Sequence, residues 1–179
     1  MDDALELTPV DSAEAYRGFL RIESRQYRLP DGRDTRWDVL LGGRTVAVVA
    51  LTEDGRVVLA RQFRPGPGAV IDELPGGMVD SGEEIAAAAA RELLEETGYA
   101  AASVEVVGSS WLAGFSTIRR YAAVARGCRR VTDPVPAGDE FSRAVELDLA
   151  DFVAHVRGGE LTDADSAYRC LDALGLLGG

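Results

Sequence analysis

The segment from Ser81 to Gly98 constrains the fold of this chain more than any other. Ser81-Gly82-Glu83-Glu84 has the form of a capping box, in which a serine hydroxyl bonds the amide three residues on and a glutamate reaches back. Gly98 suits the left-handed residue that follows a last helical turn. The sequence therefore predicts a long helix between these two residues.

Small and charged side chains occupy different sides of this predicted helix. At about 100° per residue, the packing side carries two leucines and three alanines, namely Leu93, Leu94, Ala86, Ala87 and Ala90. Glu92, Glu95 and Glu96 share the other side, where three carboxylates at this spacing repel one another. A hard divalent cation suits oxygen ligands, so the pattern indicates either a metal site or a solvated acidic face.

The spacing around these carboxylates decides between the two interpretations. From Gly77 the chain gives five residues, Glu83, seven residues and then Arg91-Glu92-Leu93-Leu94-Glu95-Glu96-Thr97-Gly98-Tyr99. This resembles the Nudix box without any departure, which favours the metal site. The resemblance implies hydrolysis of a nucleoside diphosphate linked to another group, on an α/β/α sandwich with a mixed sheet.

The resemblance also implies roles for individual residues of the box. Glu83 and Arg91 look like its supporting catalytic pair, with the arginine orienting carboxylates. The implied cofactor is Mg²⁺, with Mn²⁺ as the alternative, because such an ion bridges diphosphate oxygens and activates water. The implied metal ligands are one backbone carbonyl and three carboxylates: Gly76, Glu92, Glu95 and Glu96.

Segments before the box are similar to the ADP-ribose pyrophosphatase branch of the family. The resemblance covers the run from Val58 to Arg64 and the later run Glu73-Leu74-Pro75-Gly76-Gly77. It implies that Arg61 and Arg64 bind the diphosphate through their planar donors, and that Glu73 accepts a hydrogen bond from a ribose hydroxyl. For each arginine, a surface salt bridge is the alternative.

Downstream of the box the chain departs from that branch. The branch usually carries Pro-Gly-Phe-Ser followed by acidic residues, whereas this chain has Ala113-Gly114-Phe115-Ser116-Thr117-Ile118-Arg119. The expected reaction is Mg²⁺-dependent hydrolysis of the diphosphate bond of ADP-ribose or a related nucleoside diphosphate sugar. The alternatives are a dinucleotide polyphosphate or nucleoside triphosphate pyrophosphohydrolase, and a non-catalytic nucleotide-sensing Nudix module.

Composition excludes several other classes. The 179 residues carry a formal charge of -11, from 19 basic and 30 acidic residues, which argues against nucleic acid and anionic membranes as partners. A small nucleotide derivative is the expected partner. Apolar runs are too short to span a bilayer and the N-terminus is acidic, which predicts a cytoplasmic protein. The single histidine, His155, argues against a histidine-based triad.

The remaining pattern predicts an α/β fold, specifically a Nudix-type α/β/α sandwich with an N-terminal β-hairpin extension. Residues 1–42 are expected to form the extension and 43–179 the hydrolase domain. A short helix is expected at Ser12–Tyr16, then a hairpin from Phe19 to Leu41. Pro75-Gly76-Gly77 is expected to be a loop. Later strands are predicted at Ser103–Val107, Tyr121–Ala125 and Ala144–Leu147, with helices at Leu149–Arg157 and Ala164–Leu174.

Two further expectations concern catalysis and assembly. The general base is expected in the loop from Asp133 to Phe141, with Glu140 as first choice, Asp139 as second and Glu95 if neither serves. A homodimer is expected through the N-terminal strands, because a lone hairpin is only marginally stable. Trp37 is either a nucleobase-stacking residue or an interface aromatic.

Overall fold

The computed structural model describes residues 5–135 and 141–177. The chain divides into two compact units. One comprises residues 1–43 and 111–119, and the other comprises residues 44–110 and 120–179. Among the described residues, no helix is both long and apolar enough to cross a membrane. The predicted domain boundary after residue 42 stays a prediction.

The first unit is built on a three-stranded antiparallel sheet of β1 (Thr8–Arg17), β2 (Arg21–Arg28) and β3 (Asp34–Leu41), in that order. The expected hairpin is therefore present and carries one more strand. The helix expected at Ser12–Tyr16 is wrong, because these residues pair along β2, with Ser12 opposite Arg25. Cross-strand pairing decides the conformation of such a short segment more than local pattern does.

The loop after Trp111 belongs to the same unit and is fastened to the end of β3. The Leu40 amide donates to the Phe115 carbonyl at 2.8 Å, and the Thr117 amide donates to the Leu40 carbonyl at 2.9 Å. None of the described residues of this unit is fully buried. The sheet therefore has no hydrophobic core of its own.

The second unit contains an eight-stranded mixed sheet with helices on both faces. Its main strand order is β11-β5-β4-β10-β8, with β6 paired to β5, β7 to β4 and β9 to β10. The strands are β4 (Arg44–Thr52), β5 (Val57–Arg64), β6 (Ala69–Glu73), β7 (Gly76–Met78), β8 (Tyr99–Ala100), β9 (Ser103–Trp111), β10 (Arg119–Arg130) and β11 (Ser142–Leu147). The helices are α1 (Ile85–Thr97), α2 (Leu149–Gly158) and α3 (Ala164–Ala173).

Alternation along β4 separates two cores. Val46, Val48 and Ala50 pack with α1, while Ala47 and Val49 pack with residues of α2 and α3. This alternation follows from the two-residue period of a strand, which sends successive side chains to opposite faces. The expected α/β/α sandwich is confirmed.

The packing side of α1 differs from the expected one. Its buried residues are Ala88, Ala89, Leu93 and Thr97. Leu94, by contrast, is 37% exposed and Ala87 is also exposed. The helix is turned so that part of its acidic side, and not Leu94, faces the sheet. The expected packing role of Leu94 is therefore wrong.

The start of α1 and the strand before it also correct the sequence analysis. The N-cap is Glu84 and no side chain caps the helix, so the expected box with Ser81 is absent. Instead, Glu83 accepts a hydrogen bond from the Asp80 amide at 2.9 Å. The expected loop at Pro75–Gly77 is partly wrong, because Gly76 and Gly77 form β7 with β4.

Close approach explains why β7 begins with glycine. A Cβ atom on Gly76 would lie 2.2 Å from the Val46 carbonyl oxygen, which belongs to the backbone and cannot move aside easily. We expect Gly76→Ala to lower the free energy of unfolding by about 1–3 kcal/mol, because overpacking shifts backbone. Chemical denaturation measures this change. The control is Gly66→Ala, where the added methyl meets nothing within 4 Å, and an equal stability for both variants would contradict the explanation.

Candidate active site

The candidate site lies where α1 packs beside β7. A Cβ atom on Gly77 would lie 2.6 Å from the Glu92 Oε1 atom, so only glycine leaves room for this carboxylate in its present position. Gly76 pairs with Ala47 and Gly77 with Val46, which holds β7 on the edge of β4. The two glycines therefore place backbone directly against the carboxylates of the helix.

Glu96 is the helix carboxylate that contacts both β7 and β5. Its Oε2 accepts a hydrogen bond from the Gly76 amide at 2.8 Å, and the Gln62 amide nitrogen lies 3.3 Å from its Oε1. The pKa of Glu96 is raised to about 7, mainly by burial and also by the charge of Glu92, while the bond from Gly76 opposes the shift. A carboxylate in this environment is stabilised by any cation that binds beside it.

Arg91 holds the remaining acidic groups together. Its guanidinium forms two hydrogen bonds of 3.0 Å to Glu83, and it also donates to Glu92 at 2.7 Å and to Glu95 at 3.1 Å. A fifth bond of 3.0 Å reaches the Met78 carbonyl. The hydrogen bonds from Arg91 lower the pKa of Glu83 to about 2. The structure thus brings the expected Glu83 and Arg91 pair into direct contact.

The donor set fits a hard divalent cation. Within the described chain no three His, Cys, Asp or Glu side chains already converge as a metal site, and Arg91 binds two of the carboxylates. Glu92 and Glu96 nevertheless lie close enough for the charge of one to raise the pKa of the other. Clustered carboxylate oxygens are the ligands that Mg²⁺ and Mn²⁺ prefer. The assignment of Gly76, Glu92, Glu95 and Glu96 as ligands stays a prediction.

The two arginines expected to bind diphosphate lie on opposite faces of β5. Arg64 donates from Nε to Glu73, on the face that also carries Gln62 and Glu96. Arg61 forms two hydrogen bonds to Asp72, which hold the pKa of Asp72 below its usual range. The structure therefore brings Arg64, and not Arg61, to the acidic side of α1.

Arg61 lines a hollow of about 410 Å³, together with Arg143 and His155. The His155 Nε2 atom lies 2.8 Å from the Asp72 carbonyl oxygen, which gives the single histidine a structural contact. The diphosphate role expected of Arg61 stays a prediction.

The two base candidates, Asp139 and Glu140, lie outside the described residues. The described residues on either side both bond to the last turn of α1: the Val135 amide donates to the Glu95 carbonyl and the Ser142 hydroxyl to the Glu96 carbonyl, each at 2.8 Å. The base assignment stays a prediction.

Sequence reasoning gave no site role to Gln62, and it took Thr162 only as a possible helix cap, yet both contact the acidic groups of the site. Gln62 is buried, and Thr162 donates a hydrogen bond from its hydroxyl to Glu73. Gln62 follows the apolar run Val57–Ala60 in β5, and a polar residue in such a strand is the one signal that could have identified it. Thr162 offered no comparable signal, because it lies in a loop far along the chain.

Comparison with known proteins agrees with this geometry. The NUDIX domain model matches residues 42–168. The chain belongs to the Nudix family. The expected enzyme class, a Nudix pyrophosphatase, is thereby confirmed. Nudix hydrolases generally use divalent metal ions, which agrees with the donor set on α1.

Several curated Nudix relatives match most of this chain. An ADP-ribose pyrophosphatase of Bacillus subtilis (strain 168) is 31% identical, over 78% of this chain and 77% of that protein. A methanol dehydrogenase activator of Bacillus methanolicus is 28% identical, over 81% and 80%. An ADP-ribose pyrophosphatase of Mycobacterium tuberculosis is 32% identical, over 78% and 69%. These matches place the chain beside the expected branch of the family.

A solved structure supports the fold independently. The crystal structure of an ADP compounds hydrolase superposes with a TM-score of 0.77 and covers 96% of this chain and 98% of that one, at 19% identity. At this identity the comparison concerns architecture alone, and it confirms the Nudix-type sandwich together with its N-terminal strands.

Gly77 offers a test of the acidic site that leaves the backbone intact. An added methyl would meet the far end of the Glu92 side chain, which can swing aside. We expect Gly77→Ala to keep a melting temperature close to that of the native chain while pyrophosphatase activity falls at least about 10-fold, because the carboxylate is displaced. Thermal unfolding and initial rates measure the two effects. Native activity in Gly77→Ala would show that the position of Glu92 does not matter.

Proposed function

We propose that this chain hydrolyses the diphosphate bond of ADP-ribose or of a related nucleoside diphosphate sugar in a Mg²⁺-dependent reaction. The observation that carries the proposal is the placement of Glu92 and Glu96 against Gly76 and Gly77. The relatives named as ADP-ribose pyrophosphatases, which match over three quarters of the chain, support the substrate class.

Each residue of the site has a part in this proposal. Glu92 and Glu96 hold the ion, with Glu95 and the Gly76 carbonyl as further ligands. When bound, the ion supplies positive charge to the diphosphate and lowers the pKa of a water molecule. Arg91 holds the carboxylates in a fixed orientation, because its planar donors bind Glu83 at the same time.

Arg64 contacts the diphosphate in this proposal, since it lies on the same face of β5 as Gln62, and both residues donate to Glu73 of β6. Its side chain remains 29% exposed although the Glu73 side chain is fully buried. Arg61 is the second candidate for the diphosphate in this proposal, although its donors bind Asp72 on the opposite face of β5.

Glu140 takes the proton from the attacking water in this proposal, with Asp139 as second candidate and Glu95 if neither serves. Two hydrogen bonds support the assignment, since Val135 and Ser142 both bind carbonyls of the last turn of α1. A base must come within hydrogen-bond reach of the water, directly or through one further water.

The first unit, taken by itself, has a hollow lined by aromatic side chains. It has a volume of about 350 Å³ and is lined in part by Tyr27, Trp37 and Phe115. The Tyr27 and Trp37 ring centroids are 5.6 Å apart, and Trp37 remains 45% exposed. Exposed aromatic rings of this kind can stack on a base.

Glu96→Gln tests the assignment of the main metal ligands. The amide keeps the shape and can still accept the bond from Gly76, but it lacks the charge that a divalent ion requires. We expect the rate of ADP-ribose hydrolysis with Mg²⁺ to fall at least about 100-fold while the fold survives. The matched control is Glu84→Gln, an exposed glutamate at the start of the same helix. Unchanged turnover in Glu96→Gln would refute the ligand assignment.

A substrate panel tests the finer part of the proposal. The diphosphate is common to all nucleoside diphosphate sugars, so contacts to it give affinity without selecting the terminal group. Thr117, Ile118 and Arg119 stand where the ADP-ribose branch has acidic residues, which favours a bulkier or more anionic group than ribose. We expect kcat/KM for ADP-ribose to be measurable and less than about 100-fold above the next best compound. A larger preference would show that this departure is without consequence.

We also propose that two copies of the chain form a homodimer through the N-terminal sheet. All ten residues of β1 are exposed and no described residue of this unit is fully buried. Val10, Tyr16 and Leu20 are large apolar residues left exposed. A second copy would give the sheet the hydrophobic cover that it lacks.

Sedimentation at micromolar concentration measures the assembly state. We expect a particle of twice the chain mass, and we expect Val10→Asp with Tyr16→Asp to shift it towards a single chain. A native protein that sediments as one chain throughout would contradict the proposed dimer.

A further inference from the structure

Glu73 lies at the end of β6 with 0% of its surface exposed. Its Oε1 accepts a hydrogen bond from the Thr162 hydroxyl and its Oε2 accepts one from Arg64 Nε. The Gln62 amide nitrogen lies 3.4 Å from the same Oε2. Protein donors therefore bind both oxygens of this carboxylate, and none of its surface is open to a ribose hydroxyl.

Gln62 connects Glu73 to the acidic side of α1. Its amide nitrogen lies 3.4 Å from Glu73 Oε2 and 3.3 Å from Glu96 Oε1. An amide nitrogen carries two hydrogens, so one group can donate to both carboxylates. The opposite amide orientation would place the carbonyl oxygen of Gln62 against two carboxylates, which repel it. A hydrogen-bonded path thus runs from Glu73 through Gln62 to Glu96.

The other end of this path is anchored in the loop between α2 and α3. Arg120 donates to the Thr162 carbonyl at 3.2 Å and forms ion pairs with Asp163 at 3.1 Å and with Asp165 at 2.7 Å. These contacts with Arg120 fix the loop. They therefore also fix the position from which the Thr162 hydroxyl donates to Glu73.

We propose that Glu73 is a positioning residue that directs the Gln62 amide onto Glu96 and fixes Arg64, with Thr162 as its anchor, and that Glu73 does not touch the substrate. The part concerning Arg64 rests on the proposed function. The part concerning Gln62 and Glu96 requires only that the carboxylates bind a divalent ion. Removing a hydrogen-bond partner of a metal ligand typically lowers metal affinity by about 10–100-fold.

Binding of Mn²⁺ alone, followed by electron paramagnetic resonance, tests the path without any turnover. We expect Gln62→Met and Glu73→Gln each to raise the Kd for Mn²⁺ about 10-fold. The double variant should be only slightly weaker than the weaker single variant, because both changes break the same path. Independent effects would instead multiply to about 100-fold.

Thr162 provides a second pair of variants far from the metal ligands. We expect Thr162→Val, which removes the hydroxyl at nearly equal volume, to raise the Kd for Mn²⁺ about 3-fold, and Thr162→Ser to restore it. The matched control is Thr52→Val, which removes a hydroxyl that donates to Asp54 at 2.6 Å outside the path. It should leave the Kd unchanged. These variants keep the test valid even where Glu73→Gln fails to fold.

Several results would overturn the positioning role. These are an unchanged Kd for Mn²⁺ in folded Gln62→Met and Thr162→Val, multiplicative effects in the double variant, and a native chain that binds no Mn²⁺. A rise in KM for ADP-ribose alone, with the Kd for Mn²⁺ unchanged in Glu73→Gln, would mean a direct ribose contact. A native chain that binds Mn²⁺ but hydrolyses no nucleoside diphosphate sugar would defeat the proposed function and leave the Mn²⁺ test of the path standing.

Discussion

The contact between the Glu96 carboxylate and the Gly76 amide determines how the rest of the site is arranged. This hydrogen bond of 2.8 Å turns the acidic side of α1 towards the sheet, where a charge is costly to bury. The turn also brings Glu92 against Gly77, at a distance that excludes any larger residue. The helix therefore packs through Ala88, Ala89 and Leu93, and Leu94 is left exposed.

Carboxylates can be buried close together only where cationic or other hydrogen-bond donor groups contact them. Arg91 holds Glu83, Glu92 and Glu95 at once, and Arg64 with Gln62 acts on the side of Glu73 and Glu96. A buried carboxylate group stripped of such partners would take up a proton. Holding these carboxylates close together lowers the stability of the metal-free protein. A cation bound between them would offset this loss.

Much of the fold was predictable from the sequence, because strands and helices of the second unit follow hydrophobic periodicity. The packing side of α1 was not predictable, because Leu94 and the alanines form an apolar pattern as regular as the pattern of the residues that are buried. The difference arises from one long-range bond, between Glu96 and Gly76, which no local pattern contains. The strand at Ser12–Tyr16 was missed for the same reason, because its partner β2 decides its conformation.

The candidate site was predictable to the extent that it lies in one motif. The contact of Glu83 with Arg91 and the closeness of Gly77 to Glu92 agree with residues chosen from spacing alone. The opposite faces of Arg61 and Arg64 follow from strand alternation, which could have been applied once β5 was recognised. Thr162 could not be identified, because its contact with Glu73 depends on how a distant loop packs.

The most direct test of this account is a crystal structure of the chain grown with Mn²⁺, with the ion located by its anomalous scattering. The account predicts one strong peak about 2.1–2.3 Å from carboxylate oxygens of both Glu92 and Glu96. It also predicts that Arg91 keeps its two bonds to Glu83 while Glu92 turns to the ion. A peak at another position would contradict this account. So would a crystal with Mn²⁺ at full occupancy in which Glu96 still contacts only Gly76 and Gln62.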